Sequence, residues 1–448
     1  MKDPRAHNVS RSYDLWTRAR ELIPGGTQLI SRRPYAFADG VAPVYAERGK
    51  GARIWDADGV EYLDYGMSVS AVILGYADEV VNAAVREQIE KGSVFTLNSE
   101  RELELAELLT ERIPCAEMVR FAKGGGEACA VAVRIARGTT GRDTVLFSGY
   151  HGWHDWYIAA NHLRDGALDE HLLPDIDPTG VPKALRGSSI PFEWGNLPAL
   201  EAALDRHRGE LAAIIMEPMR SELPPDGYLE GVRELATREQ VVLIFDEVTT
   251  GFRHHANGVQ DLLGVVPDLA CFAKSISNGF AMGAVVGKRW VMEPAAQMFV
   301  SSTYWGDLVG IAAALTTLHE IERRDVPGTL RAYGEKLQSG MREVLDEVEV
   351  PVEISGLPAV PHFSFTAPND AGEIQKRNVL ATQEMAKRGV LLNTAPHHSA
   401  AHGDADLGIT LDAFREALIV ARDAIAKDGV DDALEATIRP NIFRRMVT

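Results

Sequence analysis

Val241-Val242-Leu243-Ile244-Phe245-Asp246-Glu247-Val248-Thr249-Thr250-Gly251-Phe252 is the stretch that decides the fold. Five consecutive apolar residues, three of them β-branched, are closed by a carboxylate and a Thr-Thr-Gly turn. That pattern predicts a strand buried on both faces, as in a parallel sheet. A second stretch, Asp268-Leu269-Ala270-Cys271-Phe272-Ala273-Lys274-Ser275-Ile276-Ser277-Asn278-Gly279, repeats it with an amine in place of the carboxylate. Open α/β sheets bind their ligands beyond the carboxyl ends of the strands, and both side chains fall there.

Working outward, strands are expected at residues 119–122, 144–148, 211–216 and 283–287. Helical apolar spacing at 78–91, 100–111, 127–137 and 309–323 completes the alternation that a mostly parallel sheet flanked by helices requires. Residues 51–64 read as a hairpin turning at Asp58-Gly59. After about residue 325 the pattern changes to strands at 350–355 and 360–366 with helices at 373–387 and 412–427. The expected organisation is an N-terminal segment (1–75) contributing to a small α+β lobe, a large domain (76–325) and a C-terminal small domain (326–448). Residues 163–189, polar and rich in Asp, Pro and Gly, read as a surface loop or lid.

With 448 residues, 46% hydrophobic and 25% charged, the chain has the balance of a globular protein. Its formal net charge of -18 argues against nucleic acid as a partner. Cys115, Cys129 and Cys271 have neither metal-ligand nor disulfide-framework spacing, which suits a reducing compartment. No apolar run approaches membrane-spanning length and the start lacks a signal-like segment, so a cytoplasmic location is expected and no membrane partner.

A lysine and an aspartate at neighbouring strand ends match what pyridoxal phosphate asks of a protein: an amine for its aldehyde and a carboxylate for its ring nitrogen. The cofactor also needs donors for its phosphate and packing for its ring. Lys123-Gly124-Gly125-Gly126-Glu127 leaves a strand and enters a helix, so the backbone at Gly125 and Gly126 can approach an anion at the helix N-terminus. Thr303 offers a hydroxyl just before the next helix, or else caps it. Tyr150 and His151, in Tyr150-His151-Gly152-Trp153, follow another strand, where an aromatic can stack on a planar ring. Val248 can pad the opposite face, and Glu217 ends the run Ala213-Ile214-Ile215-Met216 within reach of cofactor or substrate.

These motifs recur in a recognisable order. Together with Ile23-Pro24-Gly25-Gly26, Ile54-Trp55-Asp56-Ala57-Asp58-Gly59, Ile73-Leu74-Gly75-Tyr76 and Arg134-Ile135-Ala136-Arg137, they make the chain resemble class III, fold type I pyridoxal-phosphate aminotransferases over nearly its whole length. Within these it is most similar to the glutamate-1-semialdehyde aminomutase branch. The resemblance implies a homodimer with active sites at the subunit interface, small-molecule amine and carbonyl substrates, Lys274 as the Schiff-base lysine and Asp246 as the ring-nitrogen partner. It also implies Tyr150 as the stacking aromatic, phosphate bound by Gly125 and Gly126, and Thr303 supplied by the neighbouring subunit.

The chain departs from the family pattern in three places and leaves a fourth position open between two residues. Glycines stand where the family has serine or threonine in the phosphate loop. Ser68-Val69 stands where the branch often has tryptophan after the serine. Arg32 or Arg33 falls near the aminomutase's carboxylate-binding arginine. No arginine occurs in Asn393-Thr394-Ala395-Pro396-His397-His398-Ser399-Ala400-Ala401-His402, which reads as a polar loop near the pocket rather than a metal site. Arg32, Ser68 and Trp153 are the candidate substrate contacts. The aromatic- and histidine-rich Tyr150–Tyr157 stretch and the missing late arginine favour an amino-sugar substrate over an α-amino acid. Elimination or dehydration of such a substrate, and a 2,1-aminomutase reaction, are the alternatives on the same chemistry. A dehydrogenase is disfavoured because no Gly-x-Gly-x-x-Gly fingerprint opens a βαβ unit.

Overall fold

The apolar runs become the strands of a central sheet. A computed structural model describes residues 8–163, 166–169, 171 and 176–438. Among these the strands in chain order are β1 (Ala46–Lys50), β2 (Arg53–Asp56), β3 (Glu61–Asp64), β4 (Met118–Ala122), β5 (Thr144–Ser148), β6 (Ser189–Pro191), β7 (Leu211–Met216), β8 (Val242–Asp246), β9 (Leu269–Phe272), β10 (Gly283–Gly287), β11 (Val352–Ser355), β12 (His362–Phe365) and β13 (Val390–Leu391). The chain divides into two compact units, one built from residues up to Asp78 together with those from Gly328, the other Glu79–Pro327.

In the second unit seven strands lie in the order β4-β10-β9-β8-β7-β5-β6. Strands β5 to β9 pair in parallel, whereas β10 runs antiparallel to both β9 and β4. Every residue of β5, β7, β8, β9 and β10 is buried. Helices cover both faces, so these strands are continuous apolar runs and not alternating ones. The helix Gly125–Thr140 presents Ala128, Cys129, Val131, Ala132 and Ile135 to a core shared with Val145, Phe147, Ile215, Ile244 and Cys271. Gly141, at φ 67°, ends that helix in the left-handed region.

The first unit carries the sheet β1-β2-β3-β13, in which only β13 pairs in parallel, and the two-stranded β11-β12. The hairpin expected at Asp58-Gly59 is the β2–β3 connection. The core here gathers Leu63 and Tyr65 with Tyr333, Leu337 and Met341 of the helix Val326–Val348, and with Phe363, Leu380 and Phe414. Part of the expected loop at 163–189 lies outside the described residues. Its described end holds a short turn, Lys183–Leu185, and the first residue of β6.

Glu247, next to the strand-end aspartate, is fully buried; it accepts hydrogen bonds from the Val259 N–H (2.6 Å) and Gln260 Nε2 (2.9 Å). Burial pushes its carboxyl up to about 7. The fold therefore binds a proton there that the unfolded chain releases near the ordinary carboxylate value. This contribution to stability is complete below that value and disappears as pH rises through about 7. His254 and His402 act in the opposite sense, because burial pushes both imidazoles down to about 4. The difference between wild type and Glu247→Gln in urea denaturation isolates the carboxyl. Wild type is expected to lose about 2–3 kcal/mol relative to the variant between pH 4.5 and 8.

Candidate active site

Because β10 alone is reversed, the carboxyl ends of β4, β5, β7, β8 and β9 all point to one edge of the sheet. The segments that leave them carry Gly125 and Gly126, Tyr150 and His151, Glu217, Asp246 and Val248, and Lys274. Topology alone thus collects the sequence-predicted site residues of this unit, Thr303 and Trp153 excepted.

Asp246 closes β8 and is 4% exposed. Its Oδ2 lies 2.7 Å from His151 Nδ1 and accepts from the Cys129 thiol at 3.3 Å; its Oδ1 accepts from the Val248 N–H at 3.0 Å. Facing a carboxylate, His151 Nδ1 is the ring nitrogen that carries the proton. The imidazole is stacked on Trp156 (centroids 6.3 Å, 19° between planes), and its Nε2 is buried with no hydrogen-bond partner. Contact with Cys271, burial and the Asp246 charge push the Cys129 thiol well above its usual value, so it stays a donor. The ligating atoms of Cys129, His151 and Asp246 lie within 4.8 Å of one another. Both the thiol and the imidazole meet Asp246 Oδ2, so the three form a hydrogen-bonded cluster. A carboxylate offers about four acceptor positions. Three are occupied here, which leaves one for the ring N–H of a cofactor.

Lys274 follows β9 and begins the turn Lys274–Ser277 at φ 50°, a left-handed conformation that costs a non-glycine residue about 1–2 kcal/mol. Its half-buried Nζ donates to Thr249 Oγ1 at 2.9 Å. The sequence reading missed Thr249; its signal was its place three residues after Asp246, where the chain turns back toward the sheet edge.

The glycine loop caps a helix. Gly124 is extended (φ -148°, ψ 161°), and the first-turn N–H groups of Gly125, Gly126 and Glu127 have no acceptor within the helix. Such an end attracts anions. A Cβ on Gly125 would lie 2.5 Å from Val248 Cγ1, so the loop and the residue after the aspartate pack directly. Gly126 crosses Gly152 (φ 100°) so closely that a Cβ on Gly152 would sit 2.5 Å from Gly126 Cα. Side-chain hydroxyls have no room at Gly125 or Gly126 with this backbone, whereas Gly124 faces open space.

Of the remaining candidates, Tyr150 is half-buried with its ring 6.2 Å from Tyr157. Glu217 donates its N–H to Ser148 O (3.1 Å) and places Oε2 3.9 Å from Arg220 Nε. Trp153 is 74% exposed and stacked on His154. Trp156 and Tyr157 are buried in the core, so of the aromatics in Tyr150–Tyr157 it is Trp153, and in part Tyr150, that meet solvent. Thr303 lies exposed on the turn Thr303–Gly306. In the other unit, Arg32 Nη2 donates to Ser68 Oγ at 3.4 Å, while Arg33 Nη1 turns to Tyr35 Oη (2.9 Å). That resolves which arginine accompanies Ser68. The late histidines correct the expectation of a polar loop: His398 and His402 are buried, with His398 Nε2 on Leu330 O (2.8 Å) and the His402 ring 4.6 Å from Tyr65.

The residues present fit pyridoxal phosphate: one acceptor position open on a buried carboxylate, an amine on the same sheet edge, and an uncapped helix N-terminus with open space at Gly124. A sheet-edge lysine and aspartate with a glycine-lined anion end define a vitamin B6 enzyme of the aminotransferase kind. The sequence model of the family described as Aminotransferase class-III matches residues 35–401. The 3-aminobutyryl-CoA aminotransferase of Cloacimonas acidaminovorans (strain Evry) is 36% identical, covering 92% of this chain and 97% of that protein. The glutamate-1-semialdehyde 2,1-aminomutase of Bordetella avium (strain 197N) is 37% identical over 90% and 97%. The FumI protein of Sphingopyxis sp. MTA144, solved in its PLP internal aldimine form, superposes with a TM-score of 0.84 at 27% identity, covering 93% of this chain and 98% of that one. The chain belongs to the class III aminotransferases: it is a PLP-dependent aminotransferase with the fold type I architecture.

Gly152→Ala is expected to cost about 2–4 kcal/mol in urea denaturation, from overpacking against Gly126 and a disfavoured positive φ. Gly124→Ala, in open space at an extended residue, is expected to stay within about 1 kcal/mol of wild type.

Proposed function

We propose that Lys274 Nζ is the covalent anchor of the cofactor and that Asp246 holds the proton on its ring nitrogen. The observation that carries this is the arrival of Lys274, Asp246 and the Gly125–Gly126 helix end at one edge of one sheet. Bound PLP supplies an electron sink for the carbon that bears the substrate nitrogen. With PLP bound, Lys274 Nζ would serve as the group that moves a proton at that carbon; in this structure it donates to Thr249 Oγ1. The N–H groups of Gly125, Gly126 and Glu127 bind the phosphate. Tyr150 and Val248 pack on the ring faces, and His151 fixes the Asp246 carboxylate. Glu217 and Trp153 are the proposed substrate-side residues of this unit; Arg32 and Ser68 are separate proposed substrate contacts of the first unit.

The substrate reading is an amine not carried on the α-carbon of a free amino acid. The 393–402 segment has no arginine, and the two curated relatives described above are named for 3-aminobutyryl-CoA and glutamate-1-semialdehyde. Amino sugars are the narrower member of this class that the sequence suggested. We further propose a homodimer. Phe299 (86%) and Tyr304 (67%) flank Thr303 in sequence and Leu97 (81%) lies on the segment after Ser93; all three are exposed, and the Leu308 N–H bonds Ser93 O (2.8 Å). A second copy covering them would carry Thr303 into the partner's phosphate site. The three free, buried cysteines suit the cytoplasm.

Borohydride reduction followed by peptide mapping is expected to find the cofactor on Lys274, and Lys274→Ala to lose the bound visible absorbance; a label on another lysine overturns the assignment. In a panel of β-amino acyl compounds, ω-amines, amino sugars and α-amino acids, the first three classes are expected to bleach the visible band and release a carbonyl product. Reaction of α-amino acids alone refutes the substrate reading, and ammonia release without bleaching indicates elimination. Light scattering is expected to give a dimer, and Phe299→Asp to raise its dissociation constant at least tenfold, about 1.4 kcal/mol.

A further inference from the structure

Cys129, like Thr249, is a residue at this site that neither the motif nor the resemblance singled out. It is the fifth residue of the helix Gly125–Thr140, 1% exposed, one turn beyond the N–H groups proposed to hold the phosphate. Its Sγ lies 3.3 Å from Asp246 Oδ2, the oxygen that also faces His151 Nδ1 at 2.7 Å. It shares a core cluster with Cys271 of β9, the strand that leads to Lys274.

We propose that Cys129 is a positioning residue for the reaction: its thiol donates to Asp246 Oδ2 and holds that carboxylate in the rotamer and charge state that keep the cofactor's ring nitrogen protonated. This rests on the assignment of Asp246 as the ring-nitrogen partner. The physics is that of a shared proton. Each donor on the carboxylate lowers its affinity for a further proton. With His151 and Cys129 both on Oδ2, the proton between carboxylate and ring nitrogen stays on the nitrogen, where it strengthens the electron sink. Without the thiol, Oδ2 keeps one donor and gains freedom to rotate about χ2. The same helix then binds the cofactor at two places, through its first-turn N–H groups and through a side chain one turn later. A shift of the helix moves both.

The thiol reports on itself without cofactor or turnover. In the cofactor-free protein, the S–H stretch lost in Cys129→Ala identifies the Cys129 band. That band is expected at lower frequency than a thiol lacking an acceptor, and to rise when Asp246→Asn replaces the charged acceptor with a neutral one. A band unmoved by Asp246→Asn overturns the proposal, whatever the fate of the Lys274 assignment. In the holoenzyme, Cys129→Ala is expected to lower kcat about three- to tenfold with KM within twofold, as loss of one hydrogen bond to a charged group implies. Cys129→Ser, which keeps a donor, is expected to recover most of that loss, with the pH midpoint of the bound cofactor's absorbance returning toward wild type. Serine no better than alanine in both readouts refutes the role. A normal infrared result with no bound cofactor at all instead sinks the Lys274–Asp246 reading and leaves the hydrogen bond standing.

Discussion

A carboxylate buried at the end of the central strand is the constraint around which the second unit is arranged. Asp246 is almost removed from water, and a carboxylate there without partners costs several kcal/mol. The fold meets that cost with three donors from three places: a backbone N–H two residues on, an imidazole after β5 and a thiol one turn into the helix after β4. Each donor fixes something else. His151 must stack on Trp156 to aim Nδ1, so the segment after β5 folds inward; Val248 must lie against Gly125, so the anion-binding helix end meets the β8 turn.

The same demand bears on Gly125 and Gly126, at the helix end proposed to bind phosphate. A side chain at Gly125 or Gly126 would meet Val248 or Gly152, whereas Gly124 is open and its glycine has no packing explanation. The chain exchanges side-chain donors for close packing between two loops and relies on backbone N–H groups, whose direction the helix fixes without side-chain entropy. The helix end and the carboxylate are thus one packed assembly.

What the sequence revealed and what it hid follow from range. Strands β5, β7 and β10 were legible to the residue because burial on both faces leaves an uninterrupted apolar run, and β8 and β9 to within one residue. Strand β13 is two residues long and pairs with β3 across more than three hundred positions, so nothing local marks it. Strand β1, Ala46-Glu47-Arg48-Gly49-Lys50, is mostly exposed and has no apolar alternation to read; Arg48 instead lies over the Trp55 ring at 3.6 Å. At the site, Lys274 and Asp246 stood out because each ended an apolar run. Thr249 and Cys129 did not, since a threonine in a turn and a cysteine on a core-facing helix are what ordinary packing would place there. His398 and His402 misled for the converse reason: a His-His-Ser-Ala-Ala-His string reads as polar, yet an aromatic cluster with Tyr65 and Tyr333 absorbs it.

Backbone strain is concentrated where substrate contact is proposed in the first unit. Met67, Ser68, Val69 and Ser70 have φ of 39°, 52°, 57° and 66°, four non-glycine residues in succession in the left-handed region. At about 1–2 kcal/mol each, the run would unwind unless the surrounding structure over-determined it. Asp64 does so: its buried carboxylate accepts from the N–H groups of Gly66 (2.8 Å) and Met67 (3.0 Å) and from Tyr76 Oη (2.6 Å). An ordinary right-handed turn would aim Ser68 differently. The left-handed one sets its hydroxyl 3.4 Å from Arg32 and leaves Val69 exposed beside it. A carboxylate holding a strained turn, which in turn aims a hydroxyl and a guanidinium, is the arrangement expected where a polar group must be met in one orientation. It mirrors, in the first unit, what Asp246 does in the second.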